Sequence, residues 1–372
     1  MVFLRRLFLL AGIVFLSTQA AAQKAHPVDP ATIKAVQACR PGGPCAHTLP
    51  VRVIIVTMFE IGKDSGDAPG EFQFWKERRH LDVRIPFPQS YHDLWYDPDR
   101  QVLGMVTGMG SIKSATATLA LGLDQRFDLS HAYWLVAGIA GGDPADASVG
   151  SVAWAHYLVD GDMAHEIDAR EIPGDWKSGY FPVHSKGPNA PAPQDPVNGE
   201  MWELNGGLQN WAYHLTKDVK LPDSPALSAS RAPYVGYPNA QRPPFVLKGD
   251  NVAAMTYWHG KLMTDWANDW VHYWTHGKGE FVTSAMEDTG TFEALTYLDN
   301  IHRADRRRVL VLRGISNYTM PPPGTSAAEY LLRENQGYSA LRGSLESVYL
   351  VGGAVVDELL DHWNRYRDRV PE

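Results

Sequence analysis

Apolar positions cluster in short runs that alternate with segments of helical periodicity. Val51 to Thr57 is a β-branched run and predicts a buried strand. A polar, Gly-rich loop follows to about residue 80. Val102 to Val106 predicts a second strand, which ends at Gly108-Met109-Gly110, and Ser111 to Arg126 has a helical repeat. Tyr133 to Ala137 is a third apolar run, closed by Gly138-Ile139-Ala140-Gly141-Gly142, and Val152 to Val159 is a fourth. Residues 170–247 are Pro-rich, carry few apolar runs and read as a long insertion wrapped on the core. Asn251 to Thr275 predicts a helix dense in Trp and His. Phe281 to Ala285 is strand-like, Thr291 to Ile301 helical, and Val309 to Leu312 a further strand ending at Gly314-Ile315-Ser316-Asn317. Ala327 to Tyr330 and Leu345 to Tyr366 complete the helices. Strands alternating with helices imply an α/β sheet. No internal repeat or clean linker divides the chain, so one domain is expected over 51–370. Ligands of open α/β sheets sit beyond the carboxyl ends of the strands, which directs attention to the three Gly-rich strand exits.

The first residues change the picture of where the chain works. Arg5 and Arg6 precede ten apolar residues, Leu7 to Leu16, and Ala20-Ala21-Ala22 supplies small residues for cleavage before Gln23. This is the pattern of a signal peptide over 1–22, and the apolar stretch is too short for a typical membrane span. The expectation is a periplasmic or secreted protein without membrane insertion. Residues 23–50 read as an extended arm. It holds both cysteines, Cys39 and Cys45, around a Pro-Gly-Gly-Pro turn, and an oxidising compartment favours a disulfide between them.

Composition narrows the partners. The 372 residues carry a net charge of -8 and no long basic run, which argues against a nucleic-acid partner. Twelve Trp and sixteen Tyr thicken the core and also offer faces for a flat ligand. Two cysteines are too few for a structural zinc site, and His272 and His276 lack the Glu of a His-Glu-x-x-His motif, so no metal is expected. No P-loop, dinucleotide fingerprint or nucleophile elbow occurs, and no cofactor is expected. The composition is compatible with a monomer or a homo-oligomer.

Five blocks, in order, carry a resemblance. They are Met58-Phe59-Glu60, Gly108-Met109-Gly110 with Ser114-Ala115, Gly138-Ile139-Ala140-Gly141-Gly142, Gly249-Asp250-Asn251-Val252, and Ser284-Ala285-Met286-Glu287 with Arg313-Gly314-Ile315-Ser316-Asn317. The third is similar to the Gly-Ser-Ala-Gly-Gly of nucleosidases. Together they resemble the nucleoside phosphorylase and nucleosidase superfamily, and the whole chain resembles the purine nucleoside permease family, which shares that fold. The resemblance implies a three-layer α/β/α domain with a central mixed sheet and a purine nucleoside ligand.

It also implies roles. Met286 and Glu287 would grip the ribose, a Glu being able to accept both hydroxyls beside a developing oxocarbenium charge. Asn317 would meet the purine N7, donating its amide hydrogen without being able to transfer a proton. An amide there leans toward inosine and guanosine over adenosine. Asn251 and Val252 would lie against the purine, and Met58, Met109, Gly138 and Ile139 would complete the binding surface. Ile139 stands where phosphorylases place a hydroxyl, and Val136-Ala137 where hexameric phosphorylases place a phosphate-binding Arg. A phosphate without those donors would be badly desolvated, so water is the expected nucleophile. Glu60 or Asp288 would activate it. The function expected is purine nucleoside hydrolysis. The alternatives are a non-catalytic nucleoside-binding protein that supports transport and a phosphate-dependent phosphorylase.

Overall fold

The computed structural model describes residues 27–372 apart from 184, 189, 193–198, 335, 336, 338 and 339. The expected signal peptide at 1–22 therefore lies outside the described residues. Twelve strands form one mixed sheet. They are β1 (Val53–Thr57), β2 (Val83–Ile85), β3 (Leu94–Asp97), β4 (Val102–Val106), β5 (Tyr133–Gly142), β6 (Val152–Trp154), β7 (Tyr157–Asp160), β8 (Met201–Glu203), β9 (Val246–Lys248), β10 (Asp250–Ala253), β11 (Phe281–Ala285) and β12 (Val309–Tyr318). The main path runs β8-β7-β10-β11-β5-β1-β4-β3-β2, with β12 alongside β5 and β6, and β9 on β6.

Every residue of β1 is buried, because both faces of the sheet are covered. Ile54 and Val56 point to one side, with Trp134 and Val136 of β5. They pack on α3 (Ser111–Leu123) and α7 (Asp288–Asn300) through Ala117, Leu121, Phe292, Leu295 and Leu298. Val53 and Ile55 point to the other side, with Leu135, Leu310 and Leu312, and meet Val348, Val351 and Val355 of α9 (Leu341–Asp361). The strand period of two thus produces the three layers.

β5 is the strand on which the site depends. Along one edge it pairs with β12 from Trp134 to Gly142. Along the other it begins beside β1, parallel, with Val53↔Tyr133 through Val56↔Val136. It ends beside β11, antiparallel, with Thr283↔Gly142 and Ser284↔Gly141. Between these pairings, at residues 137–140, the edge opens into a seam.

Four expectations differ from the structure. The arm before residue 50 contains a helix, α1 (Pro30–Ala38), capped by the Asp29 carboxylate on Ala31 N–H and packed through Ile33 and Val36. Its disulfide is formed as expected, with the Cα atoms of Cys39 and Cys45 5.6 Å apart. The loop before residue 80 holds α2 (Gln73–Arg78), whose Trp75 is buried. Residues 170–247 do not all wrap the core. They supply strand β8, α4 (Gly206–Thr216), which packs its Leu208 and Ala212 beneath the sheet, and α5 (Pro225–Arg231). Residues 251–275 are not one helix. Asn251 and Val252 belong to β10, buried between β7 and β11, and α6 (Lys261–Trp274) starts only after Gly260, whose φ of 121° a side chain would disfavour.

Candidate functional site

The ends of β1, β5, β11 and β12 surround a cavity of about 360 Å³. At its floor the seam in β5 would leave a backbone donor and acceptor unpaired, which buried backbone does not tolerate. Two side chains take the place of the missing strand. The N–H of Ile139 donates to Glu71 Oε1 at 2.7 Å, and Arg313 Nη1 donates to the Ile139 carbonyl at 3.0 Å. The other Glu71 oxygen accepts from Met58 N–H at 2.8 Å. Gly138 makes room for this meeting, since a Cβ there would come within 2.6 Å of both Glu71 Oε1 and Arg313 Nη1.

Arg313 is buried, and each of its three nitrogens donates. Its Nε lies 3.1 Å from each Asp288 oxygen, and Nη2 lies 2.8 Å from Asp288 Oδ1 and 3.1 Å from Glu287 Oε2. Burial opposes its charge, and Asp288, Glu287 and Glu71 more than offset that opposition, so it stays protonated. Glu287, at the head of α7, also accepts from Gly110 N–H at 3.0 Å and Met286 N–H at 3.3 Å. Burial raises its pKa; Arg313 opposes this and Asp288 adds to it. Three carboxyls around one guanidinium would leave excess negative charge in a poorly solvated place. Burial, with the Glu287 charge added, pushes Glu71 up to about 8 against the pull of Arg313, so Glu71 holds a proton at neutral pH.

Asn317 sits on the opposite wall, just past a bulge in β12 between Ile315 and Asn317. Its amide nitrogen donates to Tyr257 Oη at 2.8 Å and to the Tyr318 carbonyl at 3.4 Å. Its oxygen accepts from Ser316 Oγ at 2.9 Å. Tyr257, Trp258, Phe59 and Ile61 supply aromatic and apolar wall.

Of the residues expected at the site, Met58, Met109, Ile139, Met286, Glu287 and Asn317 line the cavity. Gly138 lies behind the floor. Asn251 and Val252 do not reach the cavity, and Asn251 donates instead to Thr283 Oγ1 at 3.1 Å. Glu60 also stays outside. Its carboxylate is closed by the backbone N–H groups of Ile61, Gly70, Phe72 and Gln73, so it ties down the 61–70 loop. Asp288 is turned away onto Arg313. Neither acid lines the cavity. Glu71 does, and the sequence reading missed it. One signal was available: Arg313 inside an apolar strand demands buried acids as partners.

Among the described residues no group of three or more His, Cys, Asp or Glu could hold a metal ion. Among the described residues lining the cavity there is no Lys, Arg or His.

Residues 50–371 match the family described as purine nucleoside permease. The chain belongs to this family. A purine nucleoside permease of Candida albicans is 28% identical over 320 residues, covering 84% of this chain and 76% of that protein. A probable purine nucleoside permease of Schizosaccharomyces pombe is 29% identical over 320 residues, covering 84% and 90%. Solved structures that align with this family member include an MTAN mutant of Helicobacter pylori with 5'-methylthioadenosine in its active site. It has a TM-score of 0.49 and 14% identity, and the alignment covers 83% of this chain and 99% of that one. The methylthioadenosine/S-adenosylhomocysteine nucleosidase of Streptococcus pneumoniae aligns with the same TM-score and identity, over 83% and 100%.

Proposed function

We propose that this protein binds a purine nucleoside in the strand-end cavity and hydrolyses its N-glycosidic bond. One observation carries the reading: two carboxyls line the floor of a largely apolar and aromatic cavity, Glu287 bonded to the buried Arg313 guanidinium and Glu71 held on the Met58 and Ile139 N–H groups within reach of its charge. Glu287 accepts the ribose hydroxyls. As the C1'–N9 bond breaks, its electron pair leaves with the purine and positive charge develops on the ribose, which the carboxylates stabilise. A water attacks C1' and gives its proton to the carboxylate form of Glu71, which accumulates as the pH rises toward about 8. Asn317 receives the leaving purine from the other side.

Phosphate is disfavoured as the nucleophile. Arg313 spends its donors on Glu287, Asp288 and Ile139, and the lining residues offer a further anion no cation. A second reading, a nucleoside-binding protein that serves transport, draws on the name of the family. No helix among the described residues is long and apolar enough to cross a membrane.

The test is incubation of the purified protein with inosine, guanosine and adenosine, with and without phosphate. Free base and ribose, unchanged by phosphate, support hydrolysis. Ribose 1-phosphate would replace it with phosphorolysis, and binding without release would favour the transport reading. Neither binding nor release would overturn both.

A further inference from the structure

Three side chains that line the cavity are also exposed to solvent, and they mark its rim: Ile61 at 39%, Met109 at 54% and Tyr257 at 44%. Ile61 carries no group that a mild oxidant attacks. Tyr257 donates its hydroxyl hydrogen to Glu334, at the end of α8 (Ala327–Glu334), at 3.5 Å. Met109 brings a thioether to the rim. Its sulfur is soft and polarisable and sits on a flexible chain. Met58, Met105 and Met320, by contrast, are closed to solvent.

A second thioether stands beside the first. Met255, 42% exposed, packs on Gly110, the residue that follows Met109. A Cβ on Gly110 would lie 3.3 Å from Met255 Cε and 3.9 Å from its sulfur. Gly110 precedes α3, and its N–H is the donor that holds Glu287 Oε1 at 3.0 Å. Two exposed thioethers therefore flank the backbone group that positions the carboxylate assigned to the ribose. The other exposed methionine among the described residues, Met163, does not line the cavity.

We propose that Met109 and Met255 are sites of reversible oxidation by hydrogen peroxide, and that their sulfoxides switch off nucleoside binding. This rests on the nucleoside reading of the cavity and adds a regulator to it. The sulfur lone pair attacks one peroxide oxygen. The S–O bond forms as the O–O bond breaks, and the departing oxygen leaves as water with both hydrogens. Sulfur loses two electrons and peroxide gains them. At Met109 the product is a polar, chiral group in a largely apolar lining. At Met255 it is a strong hydrogen-bond acceptor laid beside Gly110, where Glu287 is the acceptor in the reduced protein. Sulfoxide reductases, one for each epimer, return both residues to the thioether.

The test treats the purified protein with hydrogen peroxide, removes the oxidant and reads two quantities. Peptide mass spectrometry reads the sulfoxide at each methionine. Stopped-flow Trp fluorescence reads inosine binding before turnover, since Trp258 lines the cavity. Sulfoxide should accumulate at Met109 and Met255 ahead of Met58, Met105 and Met320. The inosine dissociation constant should rise about tenfold, as expected for a displaced ribose carboxylate. Incubation with the two reductases should restore it. Each variant is compared with its own untreated form. The double variant Met109→Leu, Met255→Leu nearly conserves volume and carries no sulfur at the rim, so its affinity should survive the treatment. Met163→Leu should lose affinity as wild type does. Unchanged affinity in oxidised wild type, or an equal loss in the double variant, would overturn the proposal and leave the nucleoside reading intact. If the double variant does not bind inosine, recovery of wild-type affinity under the reductases decides. Untreated wild-type protein that binds no inosine overturns both.

Discussion

Glu71 and Arg313 approach each other over the face of Gly138, where the space for a single methyl group is already occupied by their polar atoms and by the Met58 methyl. Gly138→Ala must therefore push the carboxyl and the guanidinium off the Ile139 backbone. The expected cost is about 1–3 kcal/mol of stability, as for other overpacked cores, together with loss of turnover. Urea denaturation and base-release assays measure the two. A variant as stable and active as wild type would show that the floor is looser than described.

On the hydrolytic reading, Glu71→Gln removes the water-activating base and leaves Glu287 in place for the ribose. Turnover should fall by about 10²–10⁴ while nucleoside binding survives. The wild-type pH profile carries the same information. Glu71 is protonated below its raised pKa, so kcat should climb as pH approaches about 8 and the carboxylate form accumulates. A kcat flat between pH 6 and pH 8 would remove Glu71 from this role.

Glu287 and Asn317 should separate cleanly. Glu287→Ala loses a charged acceptor for the ribose, worth about 1.5–3 kcal/mol, for every purine nucleoside alike. Arg313 keeps Asp288 as a partner, so the fold should persist. Asn317→Asp should shift preference from inosine toward adenosine, because a protonated carboxyl can serve N7 beside an amino group. An unchanged inosine-to-adenosine ratio would place the base elsewhere.

At the N-terminus, mature protein isolated from the exporting cell should begin at Gln23. Replacing both Cys39 and Cys45 by Ser should cost about 2 kcal/mol on the chain-entropy account and leave the distant cavity unaffected. N-terminal sequencing and a thermal melt of the double variant check these. An intact Met1 would refute the export reading.

The sequence was most informative where chemistry sits directly on a strand end. Glu287 and Asn317 were named by the resemblance of their blocks, and both line the cavity; β11 ends at Ala285 as read, while β12 runs on to Tyr318, past the Leu312 expected. Glu71 was not named. It lies 13 residues beyond Met58, on the far side of a loop whose return is set by Glu60 capturing four backbone N–H groups. Two acids eleven positions apart look alike in sequence, and loop geometry decides which faces the ligand. Asn251 and Val252 were misplaced for a different reason. The helical repeat of α6 masked the short buried strand just before it, and four residues are too few for a period of two to declare itself.

The seam in β5 also bears on how the protein reaches its working form. Its floor joins Glu71, Ile139 and Arg313, which are separated along the chain by 68 and then 174 residues. Loop closure over such spans is slow to be rewarded, so the floor belongs to the late contacts of folding. A nascent or clipped chain lacking β12 would carry more than an inactive site. It would present an unsatisfied strand edge along β5, the kind of surface that pairs with other chains. Completion of the binding site and protection from aggregation are therefore one event in the life of this molecule.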